Sequence, residues 1–170
     1  MLPRLLLLLA AAAALDPVAF PGAAEAKDPT GRYTVIGATS AGAHALSLKD
    51  LKTGAAQPLL SYGRSAMVLW APDGDALAIT DRASRDSATV KIFLPARPGA
   101  PVDVGAELDR SFPSMPERIG NRHVYLEAVR WLDAKTLRFR LRGYGDRDPG
   151  GFDLVFDYPL GGSVRRARSV

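Results

Sequence analysis

Three arginines at alternate positions, Arg138, Arg140 and Arg142, form a regular row of charge, and side chains two apart on a strand stand on one face. Such a row is an anion-binding pattern, suited to a phosphorylated glycan, a lipid headgroup or an acidic protein. A second pattern is acidic: Asp146, Asp148, Asp153 and Asp157 offer oxygen ligands near the spacing of a calcium loop. Its flanks read as strands rather than helices, Pro149 interrupts it and Asp157 stands where a bidentate Glu is usual. A hairpin loop is the simpler reading, because Asp, Pro and Gly are also the ordinary turn residues. Trp70 and Trp131 are the two residues that can act as stacking platforms, and their repeated position before a turn also suits packing over a core end.

Little else in the chain points to catalysis. His44 and His123 lie in different strand candidates with no Cys or Glu at ligand spacing, and a metal site needs three or four convergent ligands. There is no Gly-x-Ser-x-Gly elbow and no Gly-rich phosphate loop. A triad assembled from distant positions stays open. The reading is that the chain is not an enzyme and requires no cofactor.

The elements that must position these residues begin with Met67 to Leu94, which reads as strand, turn, strand, polar loop, strand. In Ala71-Pro72-Asp73-Gly74-Asp75, Pro72 presets φ, Asp73 can bond its own backbone and Gly74 accepts positive φ. Trp70-Ala71-Pro72-Asp73-Gly74 followed by Leu77-Ala78-Ile79 resembles the repeat of TolB-like, WD40-like β-propeller proteins, which usually carry Ser at the position of Ala71. Leu46 to Gln57 resembles the same family's outer strand and Gly-containing turn, so the resemblance covers residues 33–104. It implies an all-β, antiparallel meander of blade-like sheets, as an incomplete propeller or an open two-sheet arrangement. It also implies a surface that contacts partners through sheet edges and loops, and it says nothing of activity.

A second unit is expected from Arg122, where Val124–Trp131, an acidic turn Leu132–Lys135 and Thr136–Arg142 repeat the order of strand ending in Trp, turn, strand. The two tryptophans are 61 residues apart, against about 40 to 45 for a propeller blade, so residues 105–121 read as an inserted loop. Pro113 and Pro116 limit that insertion to one helical turn plus loop. In the last hairpin, Leu137, Phe139 and Leu141 must share a face with Phe152, Leu154, Phe156 and Tyr158. Parity then puts Arg138, Arg140 and Arg142 on the same outer face as Asp153 and Asp157. The register with Arg142 opposite Asp153 sets Arg138 opposite Asp157, a shift of two residues still leaves each Asp near an Arg, and each cross-strand pair contributes roughly 0.2 to 1 kcal/mol. The Arg-rich end, residues 163–170, reads as a solvated basic tail.

Met1–Arg4, the apolar run Leu5–Leu15 and Ala24-Glu25-Ala26 together read as a secretory signal peptide cleaved after Ala26. That cleavage leaves one β domain, Lys27 to Val170, of 144 residues with formal charge +5 in place of +4. Lys27–Arg32 reads as a disordered lead-in. The absence of cysteine excludes disulfides, thiol chemistry and a lipid-attachment cysteine. The expected protein is periplasmic or secreted, has no transmembrane segment after cleavage and no nucleic-acid partner, and binds a protein or envelope component, with oligomerisation open. A small secreted hydrolase or glycan-modifying enzyme, and a calcium-stabilised structural domain, are the alternatives.

Overall fold

A computed structural model describes residues 15–97, 99–115, 118, 121–146 and 148–168. Residues 1–14 of the signal peptide expected over residues 1–26, and Arg147 of the acidic loop, lie outside them. The described residues are mostly β. One sheet of four antiparallel strands runs β2 (Glu25–Lys27), β3 (Tyr33–Ser40), β4 (Ala43–Asp50) and β5 (Ala56–Tyr62). The second sheet begins with β1 (Val18–Phe20), β6 (Ser65–Trp70), β7 (Leu77–Arg82) and β8 (Ser87–Phe93), with β9 (Val102–Asp103) on β8. It continues through β10 (His123–Trp131), β11 (Thr136–Tyr144), β12 (Phe152–Pro159) and β13 (Arg165–Arg166). This is the expected open two-sheet, all-β arrangement, with one departure from antiparallel pairing: β8 and β10 meet in parallel over Ser87↔Val124 and Ala88↔Tyr125.

The strand run β6–β8 is the middle of the molecule because its residues alternate between two cores. Ala66, Val68, Trp70, Leu77, Ile79 and Phe93 pack with Val35, Leu46 and Leu48 of the four-stranded sheet. Leu69, Ala78, Val90 and Ile92 pack on the other side with Leu126, Trp131, Leu137, Phe139, Leu141 and Phe156. A strand buried on both faces must be apolar at consecutive positions, which is why Met67–Trp70 and Leu77–Thr80 lack polar alternation.

The Trp70 turn closes as its residues dictate. Ala71 N–H donates to Ala76 O at 2.9 Å, Gly74 N–H to Ala71 O at 2.9 Å and Asp75 N–H to Asp73 Oδ1 at 3.0 Å. Gly74 has φ +70°, and a Cβ there would run into the Asp28 carboxylate. Arg32 Nη2 clamps the turn from outside, donating to Asp73 O and Asp75 Oδ1, each at 2.7 Å. The equivalent turn after Trp131 repeats the backbone closure, Leu132 N–H to Thr136 O at 2.8 Å, and the Asp bond, Lys135 N–H to Asp133 Oδ1 at 2.7 Å.

Several expectations change. The unit expected over residues 27–104 divides between the two sheets, because β5 pairs β4 and β6 pairs β7. Lys27–Arg32 is an ordered turn: Asp28 is 4% exposed and its carboxylate accepts from the backbone N–H of Tyr33 at 2.9 Å and from the Thr30 hydroxyl. The insertion at 105–121 opens with a two-turn helix, α1 (Val104–Ser111), N-capped by Asp103, whose Oδ1 accepts from Ala106 N–H at 3.1 Å. Val104 and Leu108, one turn apart, are fully buried. The basic end is not free either, since Arg165 pairs Asp157 and Arg166 pairs Phe156 as β13, and Val164 is buried with its N–H donating to Ser111 Oγ at 2.9 Å. Residues 18–26, upstream of the expected mature start, supply β1 and most of β2; cleavage after Ala26 would cut within β2.

The β3–β4 hairpin turns through Ala41 and Gly42 at φ +48° and +80°, so a residue with a Cβ occupies a left-handed position. Ala41→Asn, which gives the Asn-Gly pair this turn favours, is expected to stabilise the protein by about 0.5–1 kcal/mol, seen as a higher urea midpoint with unchanged slope.

Candidate functional site

The outer face of β10–β12 carries most of the residues that the sequence marks for chemistry. The β11–β12 register places Arg138 opposite Asp157 and Arg142 opposite Asp153, the first of the two registers that parity allows. The ion pairs do not all follow the register. Arg138 grips Asp157 with both Nε and Nη2, at 2.7 and 2.9 Å. Arg140 reaches diagonally to Asp153, with Nε to Oδ1 at 2.6 Å and Nη2 to Oδ2. Arg142 turns to the other side and pairs Glu127 of β10 at 3.1 Å through both nitrogens. Glu127 also accepts from Arg82 Nη2 at 2.8 Å, so one carboxylate joins β7, β10 and β11.

The row is therefore a laced ladder in which every one of the three guanidiniums has an acidic partner. Burial pulls the Glu127 carboxyl up, but the hydrogen bonds and charges of Arg142 and Arg82 outweigh it and hold it below the ordinary carboxylate range. The Arg140 hydrogen bonds do the same for Asp153. An anion would have to compete with these carboxylates for the guanidiniums.

At the end of the ladder is an aromatic stack that the sequence reading did not assemble. The His123 ring lies 4.2 Å from that of Tyr144 at 13°, and 6.3 Å from that of Tyr125 at 27°. The Arg142 guanidinium sits 4.9 Å from the Tyr125 ring centroid. Tyr125 Oη donates to Arg85 O at 2.9 Å, and His123 Nδ1 is 3.2 Å from Asp86 Oδ1, so the stack also holds the β7–β8 loop. The alternation His123, Tyr125 on one strand and Tyr144 directly across on the next was the available signal. His44, also a packing residue, stacks on Tyr62 at 5.1 Å.

Most of the exposed large apolar side chains among the described residues belong to the same strands. Val129, Leu132, Tyr144 and Val155 are 37 to 48% exposed and all belong to β10–β12 or their turn, while Leu51 is the fifth, on the other sheet. Val129 is pushed out by a bulge: the β10–β11 register skips it between Ala128 and Arg130, and Ala128 N–H donates to the buried Thr80 hydroxyl at 3.0 Å. A groove of about 380 Å³ runs beside β12, lined by Arg138, Asp153, Leu154, Val155, Arg166, Ala167 and Arg168.

Trp70 and Trp131 are not on this surface. They are 4% and 6% exposed, and each indole N–H donates across a core to a backbone carbonyl at 3.1 Å, Trp70 to Ala26 and Trp131 to Leu69. Neither ring is presented to an external ligand. The four aspartates do not gather into a cation site. Asp153 and Asp157 are four residues apart on one strand, roughly 13 Å, and each is engaged by an arginine. Asp148 uses its backbone to close the loop, donating to Gly145 O and accepting from Gly151 N–H. Among the described residues no three His, Cys, Asp or Glu side chains are placed to hold a metal ion. A cavity of about 130 Å³ lies between β5 and the segment around Phe93–Val102, and among the described residues that line it Gln57 and Arg97 are the only ones with polar side chains, a set without a nucleophile or an acid–base pair. Asp81, whose carboxyl burial pushes up against the pull of Lys91, lies outside that cavity.

No family model matches the chain, and no curated protein matches it. Among solved structures, TolB from Acinetobacter baumannii is similar, 15% identical with a TM-score of 0.47 over 84% of this chain and 31% of that one. The chain thus spans less than a third of the length of that protein, and a likeness of this degree carries no inference about activity, ligand or partner.

Two outcomes are expected. Glu127→Gln removes a charge that two arginines share at a site only 15% exposed, and should cost about 1–3 kcal/mol at pH 7. Because the folded-state pKa of Glu127 is depressed, that stabilisation is complete above the unfolded carboxylate value and lost as pH falls through the folded one. The gap between wild-type and Glu127→Gln urea midpoints should therefore shrink in acid. Calcium at millimolar concentration and its removal by chelator should leave the melting temperature unchanged, since bound cation would raise it.

Proposed function

We propose that this chain is an exported, non-catalytic cell-envelope protein that binds a protein partner through the outer face of β10–β12. The observation that carries the reading is that four of the five exposed large apolar side chains, Val129, Leu132, Tyr144 and Val155, belong to these three strands or their turn, beside a ladder of paired charges. Tyr and Arg are the residue types enriched at contact surfaces. The internal pairing of the arginines favours a protein over a polyanion. A partner can add hydrogen bonds to a ladder whose charges are already paired, whereas a phosphate-rich ligand must displace three carboxylates. Export rests on the charged, apolar and small-residue sequence at the N-terminus, and no described helix is long and apolar enough to cross a membrane.

A photoreactive residue introduced at position 144 or 155 in the native host is expected to yield a discrete crosslinked protein species, while one at the exposed Leu51 gives none. Crosslinks from position 51 alone, or from none of the three, contradict the proposed surface.

A further inference from the structure

We propose that a row of charges crossing the outer face of β10–β13, Arg130, Arg138, Asp157 and Arg165, is the binding site for an extended acidic segment of the protein partner. The inference rests on the partner-binding reading above and names the chemistry the partner supplies.

The strand registers set the four residues side by side. Arg130 of β10 lies opposite Arg138 of β11, Arg138 opposite Asp157 of β12, and Asp157 opposite Arg165 of β13. Their neighbours along the chain, Trp131, Leu137, Tyr158 and Val164, are all buried, so the row itself stands on the solvated face. Three guanidiniums therefore share one carboxylate. Asp157 is gripped by Arg138 through both Nε and Nη2, and among the described residues the exposed Arg130 and Arg165 side chains have no ion pair. Like charges directly opposite each other on a sheet are destabilising. Elsewhere on this face the arginines reach acids, Arg140 to Asp153 and both Arg82 and Arg142 to Glu127. The unmatched positive charge is thus concentrated at the two ends of this row.

Geometry narrows the ligand. Neighbouring strands are about 4.8 Å apart, so Arg130 and Arg165 stand roughly 14 Å from each other across two intervening strands. An extended peptide advances about 3.4 Å per residue, so two carboxylates four residues apart on one side of it meet both arginines. The residues between them pass over the satisfied Arg138–Asp157 pair. Apolar surface adjoins the row at both ends. The exposed bulge residue Val129 precedes Arg130, and the exposed Val155, bonded through its carbonyl to Ala167 N–H, stands in the next row beside Arg165. These flanks can receive the apolar side chains of a peptide, whereas a bare phosphate group gains nothing from them.

The test titrates the purified protein with the end-blocked peptide Glu-Val-Ser-Val-Glu and its uncharged counterpart Gln-Val-Ser-Val-Gln, following the arginine Nε–H groups by nuclear magnetic resonance. The Glu peptide is expected to shift Arg130 and Arg165, to bind more weakly as salt is raised, and to lose about tenfold in affinity in the Arg130→Gln/Arg165→Gln double variant. Equal binding of the two peptides, unchanged affinity in the variant, or binding to phosphatidylglycerol vesicles alone overturns the proposed ligand. Arg130→Gln by itself removes a like-charge opposition and should leave the urea midpoint unchanged or higher; a lower midpoint would assign Arg130 a structural role and overturn the site. Crosslinking from position 155 in the host separates this inference from the reading beneath it. Crosslinks that persist undiminished in the double variant overturn the row and leave partner binding intact, whereas their absence from the wild type, with Glu-peptide binding preserved, contradicts the partner reading alone.

Discussion

Two buried indole N–H bonds tie this fold together across its layers. The Trp70 N–H, at the end of β6, reaches back to Ala26 of β2, and the Trp131 N–H, at the end of β10, reaches back to Leu69 of β6. An indole nitrogen is a donor only, and a buried donor without an acceptor costs about 1–3 kcal/mol. Each tryptophan must therefore end its strand where a carbonyl of the preceding layer stands opposite. The tight turn that follows each of them is part of the same requirement, because it returns the chain at once into the next strand while the ring covers the core. The strands β6–β8 then serve two cores, receiving one tryptophan bond and extending the other.

Burial of one face dictates the chemistry of the other. Leu137, Phe139, Leu141 and Phe156 are all fully buried, so the intervening residues of β11 and β12 must stand outward. A solvated face of closely spaced arginines repels itself unless acids are interleaved, and Asp153, Asp157 and Glu127 supply them. The Arg138–Asp157 and Arg140–Asp153 pairs rigidify the face more than they stabilise the fold, because partly exposed pairs contribute little individually. The result is an ordered polar surface with Tyr144 and Val155 standing out of it, a shape a partner can meet with little loss of conformational freedom.

What could be read from the sequence was what local chemistry decides. Pro72, Asp73 and Gly74 specify their turn without help, and the parity of Arg138, Arg142, Asp153 and Asp157 follows from one buried face. The diagonal grip of Arg140 on Asp153 did not follow, since a twisted sheet brings diagonal neighbours within reach of a long side chain. β1, β2 and β13 are two or three residues long, too short to show periodicity, and they exist only through pairing with distant strands. The parallel β8–β10 contact and the convergence of Arg82 and Arg142 on Glu127 are likewise non-local. The helix α1 had a legible signal in Asp103 as cap and Val104 and Leu108 one turn apart, which the nearby prolines obscured. The aromatic stack was split in the sequence by the whole length of the β10–β11 hairpin, so His123 read as an isolated residue.

The central claim is that both cores are fastened through the same middle layer and that the two indole bonds are buried in one cooperative structure. Hydrogen exchange of the Trp70 and Trp131 Nε1 protons in the native protein, followed by nuclear magnetic resonance, tests it directly. Exchange of both at one common free energy, equal to that of global unfolding, is the predicted result. Exchange of either proton far faster than global unfolding would show that its layer opens independently and would contradict the account.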